Sequence, residues 1–230
     1  MKKTLLAGLP ALHLNLSEQQ ADTLCAFGQA LLDKNQVMNL TAIRTPEQVA
    51  TLHFLDSLSL LAAKDFAGKT VVDVGCGAGF PGVPLKIGCP TLRLTLLDSL
   101  GKRMDWLREI LPALGVEAKV ETARAEDYAK THRESFDFCT SRAVARLNVL
   151  GELCLPLVKE GGYFLAMKGA QAEEEIEEAK KAIGILGGRV ESTQDYPIEG
   201  VMHHTVIIRK IKPTPPQYPR AFARIKQKPL

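Results

Sequence analysis

The chain has 230 residues, 46% hydrophobic and 24% charged, enough to bury a core as one domain or one domain with a small appendage. No apolar run approaches membrane length, and Pro10 and His13 interrupt the leucine-containing start before a secretory segment forms. Cys25, Cys76, Cys89, Cys139 and Cys154 lack any Cys-x-x-Cys spacing, which disfavours a zinc or disulfide framework and fits a reducing cytoplasm. The net charge of +3 does not by itself imply nucleic acid, but it is unevenly spread. Glu173, Glu174, Glu175, Glu177 and Glu178 crowd one stretch. Arg209, Lys210, Lys212, Arg220, Arg224, Lys226 and Lys228 follow with no acid after them, so this segment is the candidate for touching phosphates.

In chain order, Ser17-Glu18-Gln19-Gln20 has capping-box spacing and precedes Leu24, Phe27, Leu31 and Leu32 at helical intervals. Thr45-Pro46-Glu47-Gln48 repeats the device with proline at the first helical position, before Val49, Leu52, Leu55 and Leu58. Residues 1–65 therefore read as a helical N-terminal cap. From Thr70 the pattern changes: strands are predicted at 70–74, 93–97, 118–121, 136–140 and 163–167, separated by helices near 82–88, 100–111, 143–157 and 171–186. That alternation predicts an α/β fold, a parallel sheet with helices on both faces. Two further strands, 189–193 and 203–210, flank a short stretch with Pro197 and Gly200, which leaves room for an antiparallel pair and none for a crossover helix. The α/β domain spans 66–211. Residues 212–230, with Pro213, Pro215, Pro216, Pro219 and Pro229, read as an irregular basic tail on the surface or disordered when free, the three parts making one structural unit.

The segment Val71 to Gly82 lies where a strand ends and a helix begins, the crevice in which open α/β sheets hold ligands. Gly75, Gly77 and Gly79 let the backbone turn tightly. Gly77-x-Gly79-x-x-Gly82 matches a dinucleotide fingerprint by letter, which leaves a nicotinamide-dependent oxidoreductase open. Asp73 ahead of the glycines favours a cationic sulfonium ligand and repels a pyrophosphate. Phe80-Pro81 offers an apolar wall and one fewer amide donor. Asp98, closing the second strand, suits ribose hydroxyls or an N-cap. Ala125-Glu126 frames an adenine or is a solvated acidic turn. Arg142 ends the fourth strand, placed to meet a ligand carboxylate or Glu126, or is a surface arginine on a strand-to-helix loop. His53 and Asp56, three apart, share a helix face and are an RNA contact or a polar stripe.

Asn39 to Arg44, His53-Phe54-Leu55-Asp56-Ser57-Leu58, Asp73 to Gly82, Asp98-Ser99-Leu100-Gly101-Lys102-Arg103, Arg124-Ala125-Glu126 and Ser141-Arg142-Ala143-Val144-Ala145 stand in the order and spacing of one family. Through them nearly the whole chain resembles the bacterial 16S rRNA guanine-N7 methyltransferases, also called glucose-inhibited division protein B. The resemblance implies a class I S-adenosylmethionine-dependent methyltransferase fold, Rossmann-like, with a mostly parallel seven-stranded sheet ending in an antiparallel hairpin. It implies S-adenosylmethionine as cofactor, held by Gly75, Gly77, Phe80, Asp98, Ala125, Glu126 and Arg142, with Arg142 also at the reacting centre. It implies 16S ribosomal RNA or an assembling small subunit as partner, met by His53, Lys168, Arg220 and Arg224, and a monomeric enzyme in the cytoplasm without membrane or metal. Tyr218-Pro219-Arg220 and Lys228-Pro229-Leu230 match the family, whereas Ala221, Ala223 and Ile225 stand where a lysine, a glycine and a proline are more usual. Guanine N7 carries a lone pair and no proton, so such a reaction needs alignment rather than a general base. A non-catalytic RNA-binding module on the same fold is the remaining alternative.

Overall fold

The computed structural model describes residues 1–230. Helix α1 (Lys2–Gly8) and a 3-10 turn (Leu9–Leu12) precede α2 (Glu18–Asn35). The capping box that opens α2 is formed: the Ser17 hydroxyl accepts from the Gln20 amide, and the Gln20 side chain accepts from the Ser17 amide. Thr45 likewise caps α3 (Pro46–Gln48), but the helix then widens into a π-helical stretch (Val49–Leu55) before α4 (Asp56–Ala63). Widened turns of this kind are frequent at functional sites, and this one carries His53.

The strands are β1 (Thr70–Val74), β2 (Arg93–Asp98), β3 (Lys119–Thr122), β4 (Phe136–Arg142), β5 (Val158–Lys168), β6 (Gly188–Ile198) and β7 (Val201–Lys210). Between them lie α5 (Gly82–Gly88), α6 (Gly101–Ala113), α7 (Ala125–Thr131), α8 (Leu147–Cys154) and α9 (Ala172–Ile185). They form one sheet in the order β3-β2-β1-β4-β5-β7-β6, with every neighbouring pair parallel except β5·β7 and β6·β7. The short link predicted to force an antiparallel pair is the two-residue turn Glu199-Gly200, both at positive φ (50° and 79°), the geometry of a tight hairpin. Strand order reverses between β1 and β4, and open sheets bind ligands beyond the carboxyl ends of strands at such a switch point.

Side chains alternate across the sheet, so two cores form. Val71, Leu94 and Leu96 face the N-terminal helices, α5 and α6, with Phe27, Phe54 and Trp106 among the buried partners. Val72, Leu97 and Cys139 face the other way, toward Leu150, Leu153 and Ile183 of α8 and α9. Helices α7 and 222–227 lie outside the helices expected from sequence, and α1 falls within the expected helical cap without a start signal of its own.

The C-terminal segment departs most from expectation. It folds back on the second core and ends in α10 (Phe222–Gln227), whose Ile225 is fully buried. The Arg133 guanidinium donates to the carbonyls of Thr214, Pro215 and Tyr218. Lys210 is fully buried and donates to the carbonyls of Leu155 and Val158 and to the Thr214 hydroxyl, beside Glu134. Arg220 grips Glu152 of α8, itself 0% exposed, through Nε (2.8 Å), Nη2 (2.6 Å) and its own backbone amide (2.8 Å). The free basic arm is therefore corrected to a docked segment: buried Glu152 demands a partner, and a bidentate arginine supplies one.

Candidate active site

The glycine-rich turn leaves β1 and crosses the end of β2, where the Leu97 carbonyl accepts from the Gly75 amide (2.8 Å). Gly75, Gly77 and Gly79 take φ of 70°, 56° and 93°, in the region that disfavours any Cβ. A Cβ at Gly75 would also collide with Val144.

Asp73 does not face the cleft. Its carboxyl is buried beneath the turn, where Oδ2 accepts from the Gly82 amide (2.7 Å) and Oδ1 has no partner. Burial pushes its pKa up to about 7, against the pull of the Gly82 amide and the more distant Arg142 charge. The sequence argument that Asp73 presents an anion to a cationic ligand is thus corrected: Asp73 braces the turn from below.

Asp98 organises the turn from the open side. Oδ2 accepts from the Gly77 amide and Oδ1 from the Leu100 amide, both 2.9 Å, and each oxygen keeps a second lone pair. It lines a cavity of about 370 Å³ with Gly75, Ala125, Glu126, Val144 and Phe222. Of the residues expected to hold a cofactor, Gly75, Asp98, Ala125 and Glu126 line this cavity. Gly77 shapes its floor through the bond to Asp98. Phe80 is buried among Phe27, Phe54 and His53, so it supports the site from within the core.

Arg142 lines a second cavity, about 570 Å³, together with His53, Asp56, Lys168, Glu175 and His203. Ala143 and Val144 border both cavities. Arg142 Nη1 donates to Asp56 Oδ2 (2.7 Å) and to the Leu52 carbonyl (3.0 Å), and Nη2 donates to His53 Nδ1 (3.0 Å). Its guanidinium carbon also stands 5.1 Å from the centre of the Phe80 ring. A guanidinium has five N–H donors, so Nε–H and one Nη2–H remain uncommitted. The ion pair is with Asp56, not Glu126, whose Oε1 instead accepts from the Phe222 amide (3.3 Å). His53 and Asp56 do share a face, and that face is turned onto Arg142.

Because arginine only donates, His53 Nδ1 must be the acceptor, leaving the proton on Nε2 to be donated to the Thr41 hydroxyl (2.9 Å). Burial, reinforced by the Arg142 charge, pulls the His53 pKa down to about 3, so the ring is neutral. Asp56 is also buried. Burial alone would raise its pKa, but hydrogen bonds from His203 and Arg142 outweigh it and hold the carboxyl below its ordinary range. Asp56 Oδ1 takes both His203 Nδ1 (2.8 Å) and the Tyr196 hydroxyl (3.0 Å). Asp56, His203 and Tyr196 reach this cluster from separate elements, and only Asp56 was singled out from sequence.

The RNA candidates scatter. His53 and Lys168 line the second cavity, Lys168 with its amine on Glu175 (2.7 Å) and the Ala145 carbonyl (2.6 Å). Arg224 is exposed on α10. Arg220 is spent on Glu152, which corrects its expected role as a phosphate contact.

The sheet order, the antiparallel β7 and the glycine turn at the switch point define a class I methyltransferase fold, whose cofactor is S-adenosylmethionine. Solved structures with that architecture superpose: TrmN from Thermus thermophilus (TM-score 0.56, 19% identity, 68% of this chain and 48% of that one) and a precorrin-6y C5,15-methyltransferase from Geobacter metallireducens (TM-score 0.51, 13% identity, 76% and 92%). The family model for rRNA small subunit methyltransferase G, GidB, matches residues 19–200, and the chain belongs to that family. Ribosomal RNA small subunit methyltransferase G of Alkaliphilus metalliredigens is 44% identical, covering 100% of this chain and 98% of its own. The Desulfitobacterium hafniense protein of the same name is 45% identical over 95% and 93%.

Proposed function

We propose that the protein transfers a methyl group from S-adenosylmethionine to N7 of a guanine in 16S ribosomal RNA, as a cytoplasmic monomer. The observation that carries the reading is the place of Arg142, which lines one cavity next to Ala143 and Val144, residues that border both, and which keeps two N–H groups uncommitted. The His53 lone pair accepts from Arg142, both Asp56 oxygens are bonded, His203 is on Asp56, and Glu175 is paired with Lys168. Guanine N7 arrives with its lone pair free, so its methylation asks these groups for alignment rather than for removal of a proton.

When bound, S-adenosylmethionine supplies an electrophilic methyl group. Asp98 is the acceptor for its ribose hydroxyls, Gly75 gives the close backbone approach, and Ala125 and Glu126 border the base. Arg142, at the border of the two cavities, has two N–H groups left for guanine O6, the oxygen on the same edge as N7, which fixes the orientation of the base and offsets charge there. His53 and Lys168 border the acceptor cavity, and exposed Arg224 adds a phosphate contact from α10. The cytoplasmic reading is supported by five unpaired cysteines. No helix is long and apolar enough to cross a membrane.

Incubating the protein with labelled methyl donor and unmodified 16S rRNA or small subunits, then cleaving chemically at N7-methylguanosine, tests this. Cleavage at one guanine is the expected result; label that enters RNA without creating such a site sinks the N7 assignment. Asp98→Ala is expected to weaken S-adenosylhomocysteine binding by about 1–3 kcal/mol, since it removes the ribose acceptor and unpins the Gly77 amide. Calorimetry showing unchanged affinity would take Asp98 out of the site.

A further inference from the structure

We propose that Phe222 is the apolar wall of the cofactor cavity against which the adenine base packs, and that the docked C-terminal segment exists to hold it there. The inference rests on the reading that this cavity takes S-adenosylmethionine. Phe222 borders the cavity beside Leu97, Ala123, Ala125 and Leu153, an apolar surround that suits a purine ring. Phe222 is half-buried, so its ring keeps a face to offer.

Four anchors fix its position. The Phe222 amide donates to Glu126 Oε1 (3.3 Å), so the acid that borders the cavity is also the tether of the opposite wall. The Arg124 guanidinium carbon stands 5.6 Å from the centre of the Phe222 ring. Two residues earlier, Arg220 is clamped to buried Glu152, and three residues later Ile225 is fully buried in the second core. A segment meant only to bring charge to RNA has no need of a buried ion pair and a buried isoleucine on either side of one aromatic ring. The arrangement has the form of a positioned side chain: one aromatic ring at the cavity edge, with anchors before and after it.

The test is calorimetric titration of the full-length protein with S-adenosylhomocysteine, which needs neither RNA nor turnover. Phe222→Ala is expected to weaken binding about ten-fold, the size expected from losing one aromatic face against a base. Phe222→Tyr should stay near wild type and Phe222→Leu should fall between. Unliganded Tm is measured for each variant; because Ile225 and Arg220 still anchor the segment, Phe222→Ala should melt close to wild type. Wild-type affinity in Phe222→Ala overturns the proposal while leaving the cofactor reading intact. A wild-type protein that fails to bind S-adenosylhomocysteine overturns both. Equal losses in the alanine and tyrosine variants would also overturn it, since aromaticity would then not be what the cavity uses.

Discussion

Arg142→Ala should lose methyl transfer by a factor of about 10² or more and also lower stability by about 2–3 kcal/mol. The stability loss follows from Asp56, which is 4% exposed and would be left without its guanidinium. Removing one partner of a buried pair costs about 3–5 kcal/mol, and here His203 and Tyr196 remain on Asp56 Oδ1 to soften it. The two effects separate in the double variant Arg142→Ala/Asp56→Asn. A neutral amide at position 56 no longer needs a cation, so the Tm should recover most of its loss while turnover stays down. Recovery of turnover along with stability would mean that Arg142 only braces the fold. Single-turnover rates at saturating cofactor and RNA, read beside a urea melt, decide between these outcomes.

Asp73→Asn should remove one contribution to the pH dependence of stability between about pH 4 and pH 7, the one that falls as pH rises, and leave the opposite contribution of buried neutral His53 in place. In the folded protein the buried carboxyl keeps its proton until about pH 7, whereas the unfolded chain releases it near the ordinary value of 3.8. A raised folded pKa contributes stability that is complete below the unfolded value and is lost as pH rises through the folded one. The full span is worth up to about 4 kcal/mol, at about 1.4 kcal/mol per unit. Asparagine keeps an oxygen for the Gly82 amide and carries an amide in place of the unpartnered Oδ1, on the strand position that pairs with Thr140, whose hydroxyl is also unpartnered. Urea midpoints for the two proteins across this range should therefore diverge toward neutral pH, with the variant the more stable. Parallel curves would show that Asp73 ionises freely inside the fold.

The sheet was largely legible because strand alternation and glycine punctuation are local signals. Strand β1 falls on its predicted limits, and Gly75, Asp98 and Ala125-Glu126 lie at strand ends, where chain order alone brings them to one edge. What sequence did not show is which charges meet. Arg142 finds Asp56 and His53 rather than Glu126 because α4 and the π-helical stretch pack over the end of β4, and no periodicity reports that docking. Arg220 and Lys210 read as free cations because Glu152 and Glu134 lie far away along the chain. Helix α10 was hidden by the surrounding prolines. Yet Ala221, Ala223 and Ile225, noticed only as departures from the family pattern, carry the signal. The Ile225 amide donates to the Ala221 carbonyl, a bond a proline at 225 cannot make, and alanine in place of glycine at 223 favours the helical turn.

The docked C-terminal segment gives the cofactor cavity a history as well as a shape. Its lining runs from Val74 to Phe222, so during synthesis the glycine turn, Asp98 and the Ala125-Glu126 edge are made well before the Phe222 wall. Until Arg220 reaches Glu152, a nascent chain carries a buried acid without its partner and a cavity open on one side. The order of synthesis thereby delays completion of the cavity until residues 220–225 have been made.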